Sequence, residues 1–348
     1  MTQREEVSTS LWRSDEADSG LRPHFEEPYF DQRLDAWVVS RYEDVLAACR
    51  LPCLSIDSKR PTTDEDERVL RRLREETLGA LSAAQLQAWS DELAPLVCER
   101  VNALPESSRV DLLKDYLHPL CLRLAALVTS IDAKDAALLQ ETAFTISAAA
   151  SEPLDPTLRS AAKAVTPRFR EHFHSDVETL RDSGFVALSW TLPSMLGNSY
   201  YALLKDPRHW SLLHGHPKIL EQAMEELNRH AGLVRSVRRQ ALEDLTLGGA
   251  KIRRGDRVIL RIMAANHDGA RFSSPDRLDL RRREAGHLSL GAGTHACAGA
   301  GLIRMAAVLL TRPLIASFAS ASLIEPIEWR GGSGFRTPKA LPVVLRRS

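Results

Sequence analysis

The stretch His287–Ala307, HLSLGAGTHACAGAGLIRMAA, gathers Gly291, Gly293, Gly299 and His295 around a single cysteine, Cys297, and then runs into an almost wholly apolar segment. Cys297 stands at the mouth of the helix predicted over AGAGLIRMAAVLL. Unpaired backbone N–H groups and the helix dipole favour negative charge there, which stabilises a thiolate. The glycines remove side chains where the loop must bend or approach something flat. Read alone, the loop admits a nucleophile, a redox thiol or a ligand. A nucleophile needs a base, and His295, two residues away in an extended loop, points to the opposite side.

The rest of the chain bounds the choice. It has 348 residues, 44% of them hydrophobic and 26% charged, as a soluble globular protein carries, so a sizeable core is available. Lys+Arg and Asp+Glu are both 46, so no overall electrostatic pull towards nucleic acid or acidic lipid exists, and neither is expected as a partner. No signal-peptide core opens the sequence and no membrane-length uncharged apolar run occurs, so a cytoplasmic protein is expected. Five cysteines (Cys49, Cys53, Cys98, Cys121, Cys297) at irregular spacing argue against a disulfide framework. Cys49 with Cys53, and His118 with Cys121, lack a second pair at zinc-finger spacing and read as buried small hydrophobes.

Neither repeats nor a linker divide the sequence, so residues 1–348 read as one domain. AWVVS predicts a strand feeding a helix with Ser40 and Glu43 at capping-box spacing. DEDERVLRRLREETLGAL, LQAWSDELAPLVCERVNAL and LLKDYLHPLCLRLAALVTSI have apolar residues at three- and four-residue intervals and predict successive helices. FVALSWTLPSMLGNSYYALLKD lacks a polar stripe and predicts a helix through the centre of the fold. DPRHWSLLHG and HPKILEQAMEELNRH start near prolines, the second ending close to Gly232. LTLGGAKIRRGDRVILRIMAAN alternates, turns at Gly248-Gly249 and Gly255, and predicts short strands, as does ALPVVLRR. The fold class is mainly α with a small β subdomain.

The spacing L-G-x-G-x-H-x-C-x-G-x-x-L-x-R, Leu290 to Arg304, closely resembles the haem-binding loop of the cytochrome P450 family. The resemblance implies that fold, haem b as cofactor, Cys297 as the thiolate ligand of iron, and His295 paired with a haem propionate. It places Leu290, Gly291 and Gly299 around the cofactor as well, with Leu290 standing where an aromatic residue is usual. Glu226 and Arg229, in EELNR, match the family's ExxR, and Arg277, in SSPDRLDL, stands as the third member of that charged cluster. Their implied role is architectural. Arg239 matches an arginine that meets a propionate from the β side, and Arg71 one from the C helix. Arginine suits both because its fork binds a carboxylate in two places. Glu67 takes the place of the histidine that normally precedes the second arginine. The likeness runs from DAWVVSRYEDVLAA to the carboxyl terminus.

Three departures bear on chemistry. The central helix of the family carries A-G-x-acid-T, where this chain has Ala187, Leu188, Ser189, Trp190 and Thr191. The threonine survives and the acid is a tryptophan. Trp190 either fills the pocket or marks a redesigned proton delivery, and Pro193 is placed to kink the helix beside it. Few residues separate SIDS from DEDERVLRR, and the span from IDAKDAALLQ to FVALSW is short by about one helix. Both predict an open distal pocket for a bulky or carrier-tethered substrate, or one closed by a partner protein.

The resemblance therefore implies a soluble bacterial-type haem-thiolate monooxygenase or oxidative-coupling enzyme for a biosynthetic intermediate. Its electrons would come from a ferredoxin and ferredoxin reductase docking near Cys297. Thr191 and Trp190 are the residues expected on the oxygen side, and Leu233, Val234 and Ala187 those facing substrate. Rival readings are a haem-thiolate isomerase or dehydratase, a peroxide-driven enzyme, and an auxiliary protein poor in haem, against which an intact Cys297 loop argues.

Overall fold

The computed structural model describes residues 27–55, 75–152, 155–173 and 180–347. Strands β1 (Tyr29–Asp31) and β2 (Ala36–Val39) form an antiparallel hairpin that leads into helix α1 (Tyr42–Arg50) and the two-residue strand β3 (Leu54–Ser55). The cap of α1 is not the Ser40–Glu43 box that the sequence suggests. Arg41 is the N-cap, without a side-chain bond, and Ser40 is buried with no partner for its hydroxyl. Asp268, more than two hundred residues away, accepts the Tyr42 N–H at 2.8 Å in its place. A local motif has given way to a tertiary carboxylate.

The helices that follow keep the caps their sequences supply. Ser82 accepts from the Gln85 N–H at the head of α2 (Ala83–Ala103). After β4 (Arg109–Asp111), a π-helical turn Leu112–Leu117 feeds α3 (His118–Thr129). Asp132 caps α4 (Ala133–Ser151), and Asp155 with Pro156 starts α5 (Pro156–Glu171). Proline at the first helical position has no N–H to leave unpaired.

The long apolar segment forms α6 (Leu180–Val186), a π-helical turn Ala187–Thr191, and α7 (Leu192–Leu204) without a break. Pro193 explains the middle piece. It offers no N–H to the Ser189 carbonyl four residues back, and the chain widens by one residue so that Leu192 N–H reaches the Ala187 carbonyl. The effect of Pro193 on the helix is this expanded turn. Tyr200, fully buried, ties α7 to the later core helix through Thr311 Oγ1 at 3.0 Å.

Helices α8 (Pro207–Gly215) and α9 (Leu220–Ala231) come next, the latter ending at Gly232. A Cβ at Gly232 would lie 2.5 Å from the Asn228 carbonyl, so only glycine fits. Strand β5 (Val237–Ala241) precedes the predicted strand region, which holds β6 (Leu245–Leu247), β7 (Ala250–Ile252) and β8 (Arg257–Leu260), but whose last residues, Ile262–Asn266, coil into the short helix α10. After the cysteine loop, α11 (Ala300–Ser317) is followed by β9 (Phe318–Leu323), the hairpin β10 (Trp329–Gly331) and β11 (Arg336–Pro338), and β12 (Pro342–Arg347).

Two cores result. A large helical one includes Leu112, Leu124, Leu196, Leu227 and Leu310, and a smaller one packs α1 against the five-stranded sheet β1-β2-β8-β5-β3. In that sheet only β2 and β8 run parallel. By length and composition α11 could cross a bilayer, but Leu302, Ala306, Leu310 and Leu314 lie in the helical core and the helix packs along α2. Cys121 and Cys49 are buried and burial pushes both thiols up, so both behave as small apolar side chains. At one end of the molecule the α4–α5 turn is clasped to the β10–β11 hairpin. The Ser151 carbonyl accepts from both Gly334 and Phe335 N–H, and the Glu152 carboxylate lies over Gly332, where no Cβ would fit.

Replacing Asp268 by alanine strands the buried Tyr42 N–H and the Ala270 N–H that it also accepts at 2.8 Å. The expected cost is about 1–3 kcal/mol, read as a lower urea midpoint at unchanged slope.

Candidate cofactor-binding site

Positive φ angles of 73° at Gly291 and 65° at Gly293 fold the cysteine loop back on itself. The return is held by Cys297 N–H donating to the Leu290 carbonyl at 2.7 Å and Ala296 N–H to Gly293 at 3.1 Å. A Cβ on Gly293 would sit 2.4 Å from the Cys49 carbonyl, so this glycine lets the loop seat directly on the end of α1. Cys297, half-buried, then lies three residues before α11 begins at Ala300. His295 closes a short 3-10 turn and is exposed. Gly299 differs from the others, since a Cβ there would stand only in ordinary contact with the Cys297 sulfur, 3.8 Å away. Within the chain nothing demands its glycine.

Beneath the loop lies a buried charge network. Arg229, 1% exposed, bonds both Glu226 oxygens at 2.7 and 2.9 Å. It also donates to the Asn266 carbonyl at 2.7 Å. The second arginine on Glu226 is Arg282, with its Nε 3.0 Å from the carboxylate, and not Arg277. Arg277 is exposed and contributes only its carbonyl, to Arg229 and Arg282. The physical reason is the turn after Arg277. Asp279 N–H bonds Glu226 at 3.0 Å, and the chain reverses there so that the later arginine faces inward. Asn266 extends the network to the loop, accepting Leu288 N–H at 2.6 Å and donating to Ser289 Oγ at 2.8 Å. Ser289 in turn donates to the Asn228 carbonyl. Asn266, Arg282 and Ser289 were not singled out in the sequence. Arg282 had a signal, a second arginine in the same LDLRRR run, whereas Asn266 sat in a segment read as strand.

Arg239, on β5, is buried with one bond to the neighbouring Arg238 carbonyl and no partner for its Nε. Burial lowers its guanidinium pKa, opposed by Cys49. Arg71 and Glu67 lie outside the described residues.

On the far side of the central helix, Trp190 and Thr191 line a cavity with Leu233, Ser194, Phe144 and His118. Val234 turns instead to the smaller core and bridges Phe335, and Ala187 is exposed on the π turn. The indole of Trp190 stacks 4.7 Å from the His118 ring and 4.6 Å from that of Phe144, while its N–H donates to the Gln140 carbonyl at 2.7 Å. That committed N–H is its only polar atom, and an indole accepts no proton, so Trp190 is a wall and not a proton carrier. Burial lowers the His118 pKa, partly offset by the nearby Ser189 main chain, and among the described residues its Nδ1 has no hydrogen-bond partner. The cavity measures about 50 Å³, room for a few water molecules. Residues 56–74 and 174–179, in the two shortened spans from which an open distal pocket is expected, lie outside the described residues.

These residues fit a haem. The buried Arg239 has hydrogen-bonding capacity left over and, among the described residues, no carboxylate on it, as a propionate would require. The loop carries Cys297 on a fixed backbone hydrogen bond, and Gly299 puts no side chain against its sulfur.

Comparison with known proteins agrees. The family model described as cytochrome P450 matches residues 214–323. The chain is 35% identical over 182 residues to cytochrome P450 CYP107DY1 of Priestia megaterium, an alignment covering 49% of this chain and 44% of that one. With cytochrome P450 107B1 of Saccharopolyspora erythraea identity is 24% over 372 residues, covering 89% of each. The crystal structure of P450BioI in complex with hexadec-9Z-enoic acid ligated acyl carrier protein superposes with a TM-score of 0.80 at 21% identity, covering 99% of this chain and 100% of that one.

Two outcomes test the geometry. Arg282→Ala should cost about 3–5 kcal/mol by leaving Glu226 short of a partner in a buried site, whereas Arg277→Ala should change stability by less than about 0.5 kcal/mol. His230 has a buried, unpartnered Nδ1, and its pKa is lowered to about 3 by burial and then by His267, Arg229, His209 and Arg282. It is neutral in the fold and takes a proton near pH 6.5 when unfolded. Stability should therefore be full above that pH and fall below it, by up to about 1.4 kcal/mol per unit from this residue. Denaturation of His230→Phe at pH 7 and pH 5 should show a smaller loss than the parent.

Proposed function

We propose, from its likeness to the cytochrome P450 family, that the chain is a haem-thiolate oxidoreductase of that family, a monooxygenase or oxidative-coupling enzyme acting on a biosynthetic intermediate. The observation that carries this reading is the Cys297 loop, whose backbone is fixed through Leu290 and seated on the Arg229–Asn266–Ser289 network. When bound through a thiolate, haem supplies one-electron and oxygen chemistry at iron, the sulfur pushing electron density towards the metal.

The chain's own residues do the rest. Cys297 would ligate the iron, its main chain held so that the sulfur needs no search for position. Arg239 and His295 would hold the propionates, with Arg71 as the second arginine. Glu226, Arg229 and Arg282 keep the floor of the site rigid. Thr191 holds a hydroxyl on the oxygen side, and Leu233 shapes the same cavity. With Trp190 unable to relay a proton, a water on Thr191 or a polar group of the substrate takes that part. The substrate is a small molecule or a carrier-tethered chain, and the complex of P450BioI with an acyl carrier protein supports the second possibility. A ferredoxin and its reductase deliver electrons at the face near Cys297, in the cytoplasm.

Trp190 also favours a second reading, a haem-thiolate isomerase, dehydratase or peroxide-driven enzyme that needs no proton relay to oxygen. Reductant-dependent oxygen uptake coupled to product excludes it.

The reduced, carbon-monoxide difference spectrum of the purified protein should show the thiolate-ligated Soret band, and Cys297→Ser should abolish it. An unchanged band in that variant would overturn the assignment. Arg239→Leu should keep the band but lower haem retention through gel filtration.

A further inference from the structure

The wall containing Trp190 continues beyond the cavity. His118, Trp190 and Phe144 stack in sequence, and the Arg330 guanidinium from β10 lies over the Phe144 ring with its centre 4.6 Å from the centroid. Arg330 is exposed at the rim of the cavity, which it lines, and makes no ion pair among the described residues. The other bases of the lining are His118 and Lys339, and no Asp or Glu belongs to it. Lys339 is engaged by Glu328 at 3.2 Å. Asp111 is close to His118, but its Oδ1 accepts the Leu113 and Leu341 N–H groups. Hydroxyls of Ser147, Thr191 and Ser194 also line it, with those of Ser151 and Thr337, which are spent on main-chain carbonyls. The rim thus offers a planar cation, fixed in place by an aromatic face and without an ion pair among the described residues, beside hydroxyl donors and with no carboxylate in the cavity lining.

We propose that the distal cavity selects a substrate bearing a carboxylate, held by the Arg330 guanidinium at the cavity rim. The inference rests on the haem-thiolate reading only for what happens to the substrate afterwards. A carboxylate receives two parallel N–H bonds from a guanidinium, the strongest pairing available at a half-dry rim. Stacking on Phe144 removes much of the rotamer freedom that a surface arginine would otherwise lose on binding. Trp190 acts here as a positioning residue, since it packs the ring on which Arg330 rests.

Calorimetric titration of the full-length protein with butanoate and phenylacetate, each against its amide, tests this, with 4′-phosphopantetheine as the competing anion. The acids should bind at least about tenfold more tightly than the amides, a difference an unpaired guanidinium can supply. Arg330→Gln should bring acid and amide to parity, Arg330→Lys should keep part of the preference, and Phe144→Leu should weaken it. Equal binding of acids and amides, or a preference that survives in Arg330→Gln, overturns the proposal. Tighter binding of phosphopantetheine than of either acid also overturns it, in favour of a carrier-borne phosphate. The thermal midpoint of each variant checks folding. Calorimetry needs no turnover, so an acid preference without a thiolate Soret band would sink the functional reading alone, and the reverse result this inference alone.

Discussion

A single guanidinium, that of Arg229, joins the three parts of the molecule that have to agree for a cofactor to be gripped. It is buried on helix α9, neutralised by Glu226 within its own turn and bonded to the Asn266 carbonyl at the end of α10. From Asn266 the hydrogen bonds pass to Leu288 and Ser289, where the cysteine loop begins. A buried pair of this kind is weak as a source of net stability, because desolvation offsets much of its attraction. It is strong as a constraint, since displacing any partner leaves a charge or an N–H without water. The position of Cys297 is thus inherited from groups on α9 and α10, outside the loop that carries it.

Much of this was legible in the sequence because it was local. The loop glycines, the i,i+3 spacing of Glu226 and Arg229, the apolar central helix and the proline-started helices α8 and α9 all announce themselves within a few residues. What escaped was set by distant partners. Ser40 and Glu43 have the spacing of a cap, but Asp268 reaches the Tyr42 N–H first. Arg277 and Arg282 lie in one basic run, and only the turn at Asp279 decides which faces Glu226. The end of the strand-like segment at Ile262–Asn266 coils because its last side chain is needed as a buried hydrogen-bond hub rather than as part of a ladder.

Trp190 shows how one substitution redistributes roles. An acid at this point of the helix would need solvent or a cation. The indole instead satisfies its N–H on the α4 backbone and fills the space between α3 and α4. Meanwhile Pro193 leaves the Ser189 carbonyl without its helical donor, and Leu192 N–H turns to Ala187 instead. The helix loses a titratable group and gains a rigid aromatic partition, and it still carries Thr191 on an expanded turn of the sort found where a helix serves a site.

The clasp between the α4–α5 turn and the β10–β11 hairpin has a kinetic corollary. Because one carbonyl, Ser151, receives two amides, the turn cannot lift by half: Gly334 and Phe335 lose their acceptor together. Solvent exchange at those two amide protons is therefore yoked to a single event. The pair forms a native clock for how often the roof over the cavity parts from its hairpin, readable without any label.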